Sequence, residues 1–180
     1  MKPDVHIAMS MDDGSLATLA FKTEGRSPTL PNGATWLPNG NWHRPATTEN
    51  IEDELNKAFP GLNTRGVKRP KVVSWRIISV SELPFDRSYR NAWEDKAGMI
   101  VHNIEKAKEL HRERIRRRRR DRLIQLDVDY QRADERNDAQ LKQGIVAAKQ
   151  RLRDATTAPE IENAQTIAQL KAAWPPDLER

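Results

Sequence analysis

The sequence predicts an α+β chain: a small β-rich N-terminal domain with one short helix, then a long charged helix, a helical hairpin and short C-terminal helices. Three observations carry this. Apolar residues alternate at period two from Val5 to Met11, Pro and Asn-Gly pairs crowd residues 24–47, and neither Pro nor Gly occurs from Asn103 to Arg136. Size and composition agree: 180 residues that are 37% hydrophobic, with a mean hydropathy of −0.83, leave little for one large core and suit small modules beside an extended helical part. The division expected is a β-rich domain over 1–80, a junction over 81–102 and a helical domain over 103–180.

The first element is a hairpin. Val5, Ile7, Met9 and Met11 share one face, and a second run, Leu16 to Phe21, follows Asp13-Gly14, a dipeptide suited to tight reversal. Residues 24–47 should then run as turns, because Pro28, Pro31, Pro38 and Pro45 cannot donate to a ladder and Asn-Gly favours positive φ. Within them Leu30-Pro31-Asn32-Gly33 recurs as Leu37-Pro38-Asn39-Gly40, and a tryptophan follows each copy, Trp36 or Trp42. The indoles either cover a thin core or form an aromatic contact surface for a partner or glycan. Thr48 is placed to cap a helix through Ala58, with Glu49, Glu52 and Asp53 near the positive end of its dipole and Ile51, Leu55, Ala58 and Phe59 on one face; Pro60-Gly61 ends it. A basic loop from Arg65 to Lys71 leads to a strand over Val72 to Val80, where β-branched residues surround Trp75. Leu83-Pro84-Phe85-Asp86-Arg87 breaks that pattern, and Tyr89-Arg90-Asn91-Ala92-Trp93 makes an aromatic and basic junction.

The long helix follows, with Asn103 in its first turn. At about 100° per residue, Ile104, Ala107, Ile115, Leu123, Leu126, Tyr130 and Ala133 fall in one stripe, which Arg118, Arg119 and Arg122 interrupt from its edge. Asn137-Asp138 interrupts the pattern. Leu141, Ile145, Ala148 and Leu152 then mark a second helix, in an antiparallel hairpin or as a continuation of the first. Thr157 with Glu160 and Thr166 with Gln169 have capping-box spacing for two short terminal helices, closed by Trp174-Pro175-Pro176.

Arg116, Arg117, Arg118, Arg119 and Arg120 are consecutive and therefore surround the long helix, with Arg112, Arg114 and Arg122 extending the cluster. No orientation hides them all. Guanidinium groups hold their charge and pair with phosphate as readily as with carboxylate, so nucleic acid is one candidate partner. The acids argue against it: from Asn103 to Glu135 eight Asp and Glu accompany eleven Lys and Arg, many at i, i+3 or i+4, as Glu113 stands to Arg116 and Arg117. No zinc finger, RNP motif or Gly-rich phosphate loop accompanies the run. A solvated or interchain ion-pair network is favoured, then docking on an acidic protein surface, then nucleic acid or membrane. The candidate contact residues are Arg114, Arg116, Arg117, Arg118, Arg119 and Arg120, together with Trp36, Trp42, Arg90 and Trp93.

Catalysis has less support. His6, His43, His102 and His111 lie in unrelated settings, and no nucleophile elbow, Walker motif or dinucleotide fingerprint occurs. No catalytic residue, metal or cofactor is expected. Without cysteine there are no disulfides or thiolate metal sites, which fits a reducing compartment or an assembled particle. No signal sequence and no apolar run near 18 residues is evident, so a soluble, non-secreted chain is expected.

About half the chain, from Leu83 to Trp174, resembles small tail-region proteins of bacteriophages and prophages. The resemblance rests on Leu83-Pro84 with Asp86-Arg87, Arg90-Asn91-Ala92-Trp93, Lys106 to Arg112 with Arg114-Ile115-Arg116, Leu126-Asp127-Val128 with Tyr130, Arg132 to Glu135, Lys149-Gln150 with Leu152-Arg153-Asp154, and Leu170-Lys171-Ala172 with Trp174-Pro175. The last part, Arg-Leu-Arg-Asp followed by a short helix and Trp-Pro, is also similar to tail assembly chaperones and tail-fibre assembly proteins. The resemblance implies a virion tail context, with the host cytoplasm as the place of assembly. It implies other tail proteins as partners, a homo-oligomer within an assembly, and no catalytic residues. A retained connector or fibre-attachment component and a transient chaperone are both compatible with it. Typical members have fewer arginines at Arg116 to Arg120, so the family supplies no role for that cluster.

Overall fold

The computed structural model describes residues 5–26, 29–60, 68 and 70–179, and its described chain divides into two compact units, one ending at Val101 and one beginning at His102. The expected α+β class holds, with the strands in the first unit and the long helices in the second.

In the first unit β1 (Val5–Met11) is the centre of an antiparallel three-stranded sheet, flanked by β2 (Leu16–Phe21) and β6 (Val72–Ile78). Gly14 takes a φ of 73° in the β1–β2 turn, where Asp13 accepts from the backbone and hydroxyl of Ser15. Both faces of β1 are covered. Ile7, Met9 and Met11 pack with Phe21 and with Ile51 and Leu55 of helix α1 (Thr48–Ala58), while Ala8 packs on the other side with Ile78, Trp93 and Ile100. The helix begins one residue earlier than expected: Thr47 is its cap, accepting from Asn50 N at 3.3 Å.

Residues 24–47 are more ordered than a run of turns. Three two-residue strands, β3 (Glu24–Gly25), β4 (Thr35–Trp36) and β5 (Trp42–His43), pair in the order β3–β5–β4, so the repeated Leu-Pro-Asn-Gly segments put Trp36 opposite Trp42. Gly25 is required there because a Cβ at this position would stand 2.4 Å from the Trp42 ring. Of the expected basic loop, Arg65 to Lys71, residues 65–67 and 69 lie outside the described residues.

Residues 81–102, expected to be a junction, are largely part of this unit. After a 3-10 turn at Val80–Glu82, another at Arg90–Ala92 leads into β7 (Trp93–Lys96), which forms a hairpin with β8 (Met99–His102). The reason is burial: Tyr89, Ala92, Trp93 and Ile100 all leave water. Ala97 and Gly98 make the turn with φ of 53° and 85°, the two left-handed residues that a tight hairpin with right-handed twist requires.

The second unit is built on α2 (Ile104–Glu135), capped by Asn103, which accepts from Lys106 N at 3.0 Å. Asn137, at a φ of 53°, ends its run, and Asp138 caps α3 (Ala139–Asp154). The alternative of one continuous helix is excluded. Arg119 reaches the Leu152 and Arg153 carbonyls, Asp127 pairs with Lys149 and Asp134 with Lys142, so the two helices run antiparallel. Of the α3 residues expected inside, Ile145 and Leu152 are buried, but Leu141 is exposed because it lies beside the turn. Two short helices follow, α4 (Pro159–Glu162) and α5 (Ile167–Ala172). Thr166 and Gln169 form the expected capping box, whereas Thr157 does not cap α4: its hydroxyl donates back to the Asp154 carbonyl at 2.9 Å.

Candidate functional site

The arginine-rich segment lies on α2 where that helix passes α3, and the structure sorts its side chains into different roles. Ile115 is fully buried, and Arg119, one turn on, lies over the end of α3. Its guanidinium donates to the carbonyls of Leu152 and Arg153 at 3.1 and 2.7 Å, satisfying acceptors that the helix C-terminus leaves open. Arg119 thus holds the hairpin together and is removed from the set of partner contacts. Arg117 pairs with Glu113 at 3.3 Å and Arg120 approaches the adjacent Asp121 at 3.4 Å, both among exposed groups where such pairs contribute at most about 1 kcal/mol. Arg112 joins Glu109 and Glu162, tying α2 to the end of α4.

Arg114, Arg116, Arg118 and Arg122 point to solvent. Among the described residues Arg116, Arg118 and Arg122 have no ion pair. Beyond them the same helix exposes Ile124 and Val128, 57% and 37% accessible, so a cationic stretch adjoins an apolar one on α2. This combination exceeds what helix–helix packing requires.

The aromatic candidates separate in the same way. Trp42 and Trp93 are buried, at 7% and 4% exposure, and belong to the core rather than to a contact surface. Trp36 is half exposed and Arg90 is exposed. The arginines of α2 and these two residues belong to different units.

Four side chains escaped the sequence patterns. Arg44 is a buried cation in the first unit: it donates to Asp53 and Glu54 at 2.9 Å and to the Asn50 carbonyl at 2.8 Å, and lies 5.1 Å from the centre of the Phe21 ring. Lys108 is its counterpart in the second, donating to the Glu162 carbonyl at 2.7 Å and to Glu105 at 2.9 Å. His111 is buried with an edge-on contact to Trp174, at 5.5 Å between ring centres; burial pushes its pKa down, opposed by a hydrogen bond to the Ala173 backbone and assisted by the charges of Arg114 and Arg112. Phe85 is fully exposed. The first three were invisible because what buries a polar side chain is a partner from another element, which no local pattern shows.

No group of three or more His, Asp or Glu among the described residues is arranged to hold a metal ion. Among them, no helix is long and apolar enough to cross a membrane. Comparison with protein-family models, with curated proteins and with solved structures finds no match for this chain.

Proposed function

We propose that this chain is a structural component of a bacteriophage tail, a connector or fibre-attachment protein that works by protein–protein contact. The observation that carries this is the exposed part of α2, where Arg116, Arg118 and Arg122 have no ion pair to a described residue and exposed Ile124 and Val128 follow them along the helix. Arginine beside apolar side chains is the composition of protein interfaces, and a groove for nucleic acid would not carry Glu113, Asp121 and Asp127 on the same helix. An acidic surface on another tail protein would supply the missing charge. The tail context itself rests on the resemblance of residues 83–174.

Mass spectrometry of purified virions tests the assignment: the chain is expected at a fixed ratio to the tail proteins. Its absence from particles that carry complete fibres would sink the structural role and leave the assembly chaperone. Changing Arg116, Arg118 and Arg122 together to Gln is expected to reduce incorporation while helicity is retained, because Gln is nearly as good a helix former as Arg. Undiminished incorporation would make these arginines a solvated face.

A further inference from the structure

Phe85 is the most exposed of the large apolar side chains described, at 105% of its reference area, yet its loop is not loose. The carboxylate of Asp86 accepts from the backbone of Ser88 at 2.9 Å and from its hydroxyl, and the Arg90 and Ala92 amides donate to the carbonyls of Arg87 and Tyr89 at 3.3 and 2.8 Å. Tyr89, Ala92 and Trp93 then anchor the segment in the core. A benzyl group held in water on such a support forgoes the free energy that burial would recover, and little ordering entropy would be lost when it docks. Arg87 and Arg90 follow it, both exposed. An aromatic knob followed within five residues by two exposed arginines has the composition of an interface hot spot.

The second unit carries a socket. A groove of about 310 Å³ opens between the end of α3, α4 and the segment after α5, with walls of Ala155, Ala158, Ala172, Trp174 and Pro175 over the buried Leu152. A cavity of about 150 Å³ accommodates a benzene ring, so there is room for a phenylalanine side chain and part of its backbone. Trp174 is fixed, because its indole N–H donates to the Leu178 carbonyl at 2.9 Å and its ring stands edge-on to His111. The rim carries one acid in excess: Glu160 is exposed with no ion pair to a described residue, while Asp177 pairs at 3.1 Å with Arg151, which lines the same groove.

We propose that Phe85 of one copy of this chain seats in the Leu152–Ala158–Trp174 groove of a second copy, with Arg87 and Arg90 facing Glu160 and Asp177. Knob and socket are different patches, so the contact is head-to-tail and propagates into a closed ring or an open filament. It follows from size, apolarity and charge, and does not depend on the tail assignment.

The test uses the full chain in sedimentation velocity over a concentration series. The wild type self-associates. Phe85→Ser weakens association roughly thirtyfold, the size of a lost aromatic hot spot, with an unchanged circular dichroism spectrum because the side chain is fully exposed. Ala172→Trp, at an exposed wall position, fills the socket and has the same effect. Mixing the two variants restores a single contact between the intact knob of one and the intact socket of the other, giving a dimer that does not grow. Should Ala172→Trp fail to fold, Glu160→Lys provides the socket variant, and its loss is recovered by Arg87→Glu with Arg90→Glu. A wild type that stays monomeric throughout, a Phe85→Ser protein that associates as the wild type does, or a mixture that forms no dimer would each overturn the proposal.

Discussion

The two units solve the same problem, a cation inside a fold, by opposite means. In the first, Arg44 is matched by charge: Asp53 and Glu54 of α1 meet its guanidinium, and Phe21 lies beneath it. In the second, Lys108 and Arg119 are matched chiefly by dipoles, the main-chain carbonyls of Glu162, Leu152 and Arg153 at the ends of α4 and α3. A carboxylate partner must itself be desolvated, whereas a carbonyl at a helix end already needs a donor. The helical unit can therefore bury cationic side chains with fewer compensating acids, and its acids remain on the surface among the arginines.

This contrast can be broken at its strongest point first. Arg44→Met leaves Glu54 without its counter-ion, Asp53 with Lys57 alone and the Asn50 carbonyl without its donor; with both carboxylates partly exposed, the first unit should lose about 2–3 kcal/mol, read as lost hydrogen-exchange protection over β1 and α1. Lys108→Met should cost less, about 1–2 kcal/mol in the second unit, because Glu105 is well exposed and rehydrates while the Glu162 carbonyl alone loses a partner. If the two losses prove equal, dipoles and charges are equivalent hosts and the contrast fails. A loss in the unit opposite to the mutation would show that the units are not energetically separate.

The turns sharpen the same comparison. Each unit has a left-handed residue at a tight reversal, but the first places Ala97 there and the second Asn137. Alanine has no local hydrogen bond to offset the crowding of its Cβ, so Ala97→Gly should stabilise the β7–β8 hairpin by about 0.5–1 kcal/mol, while Asn137→Gly should change stability by no more than a few tenths. Thermal melts of the two variants check this, and an equal response would show that backbone strain at Ala97 is already relieved.

The gentlest separation uses pH. His111 has its pKa lowered in the fold, so the unfolded chain binds more protons below about pH 6.5, and the second unit should lose stability as pH falls through that value. In the first unit Asp53 is lowered by its hydrogen bond to Lys57, with the Lys57 and Arg44 charges adding to it; its contribution is present above about pH 3.8 and is lost below. Hydrogen exchange at pH 7 and pH 5, corrected for intrinsic rate, should show protection falling around His111 and unchanged in α1. His111→Gln should abolish the difference. Equal loss in both units would assign it to other groups.

Much of the fold was legible because local signals agreed with tertiary need. Alternation gave the β1–β2 hairpin, and Asn103, Asn137 and Thr166 marked helix ends through hydrogen bonds made within three residues or through a tolerated φ. What was hidden depends on distance in sequence. The β7–β8 hairpin looked like a junction because its four-residue strands are too short for a period to show, and its burial depends on β1 and β6. The burial of Lys108, His111 and Arg119 was hidden because their partners lie 33 to 63 residues further on. Of the site residues, composition alone pointed to the arginines of α2, yet Arg119 could be told from Arg118 only once α3 was in place.

The cross-links between α2 and α3 have a mechanical consequence. Arg119, Asp127 and Asp134 follow one another at intervals of about two helical turns and engage α3 at Leu152–Arg153, Lys149 and Lys142. Sliding one helix past the other by a turn would have to detach all three at once, whereas opening the pair from its free end detaches them singly, like a zip. Shear is therefore the stiff direction of this hairpin, and bending about Asn137 the soft one. A load along the axis of α2, about 48 Å long at 1.5 Å per residue, would be shared by three attachment points in parallel; the same load pulling the helices apart would fall on one.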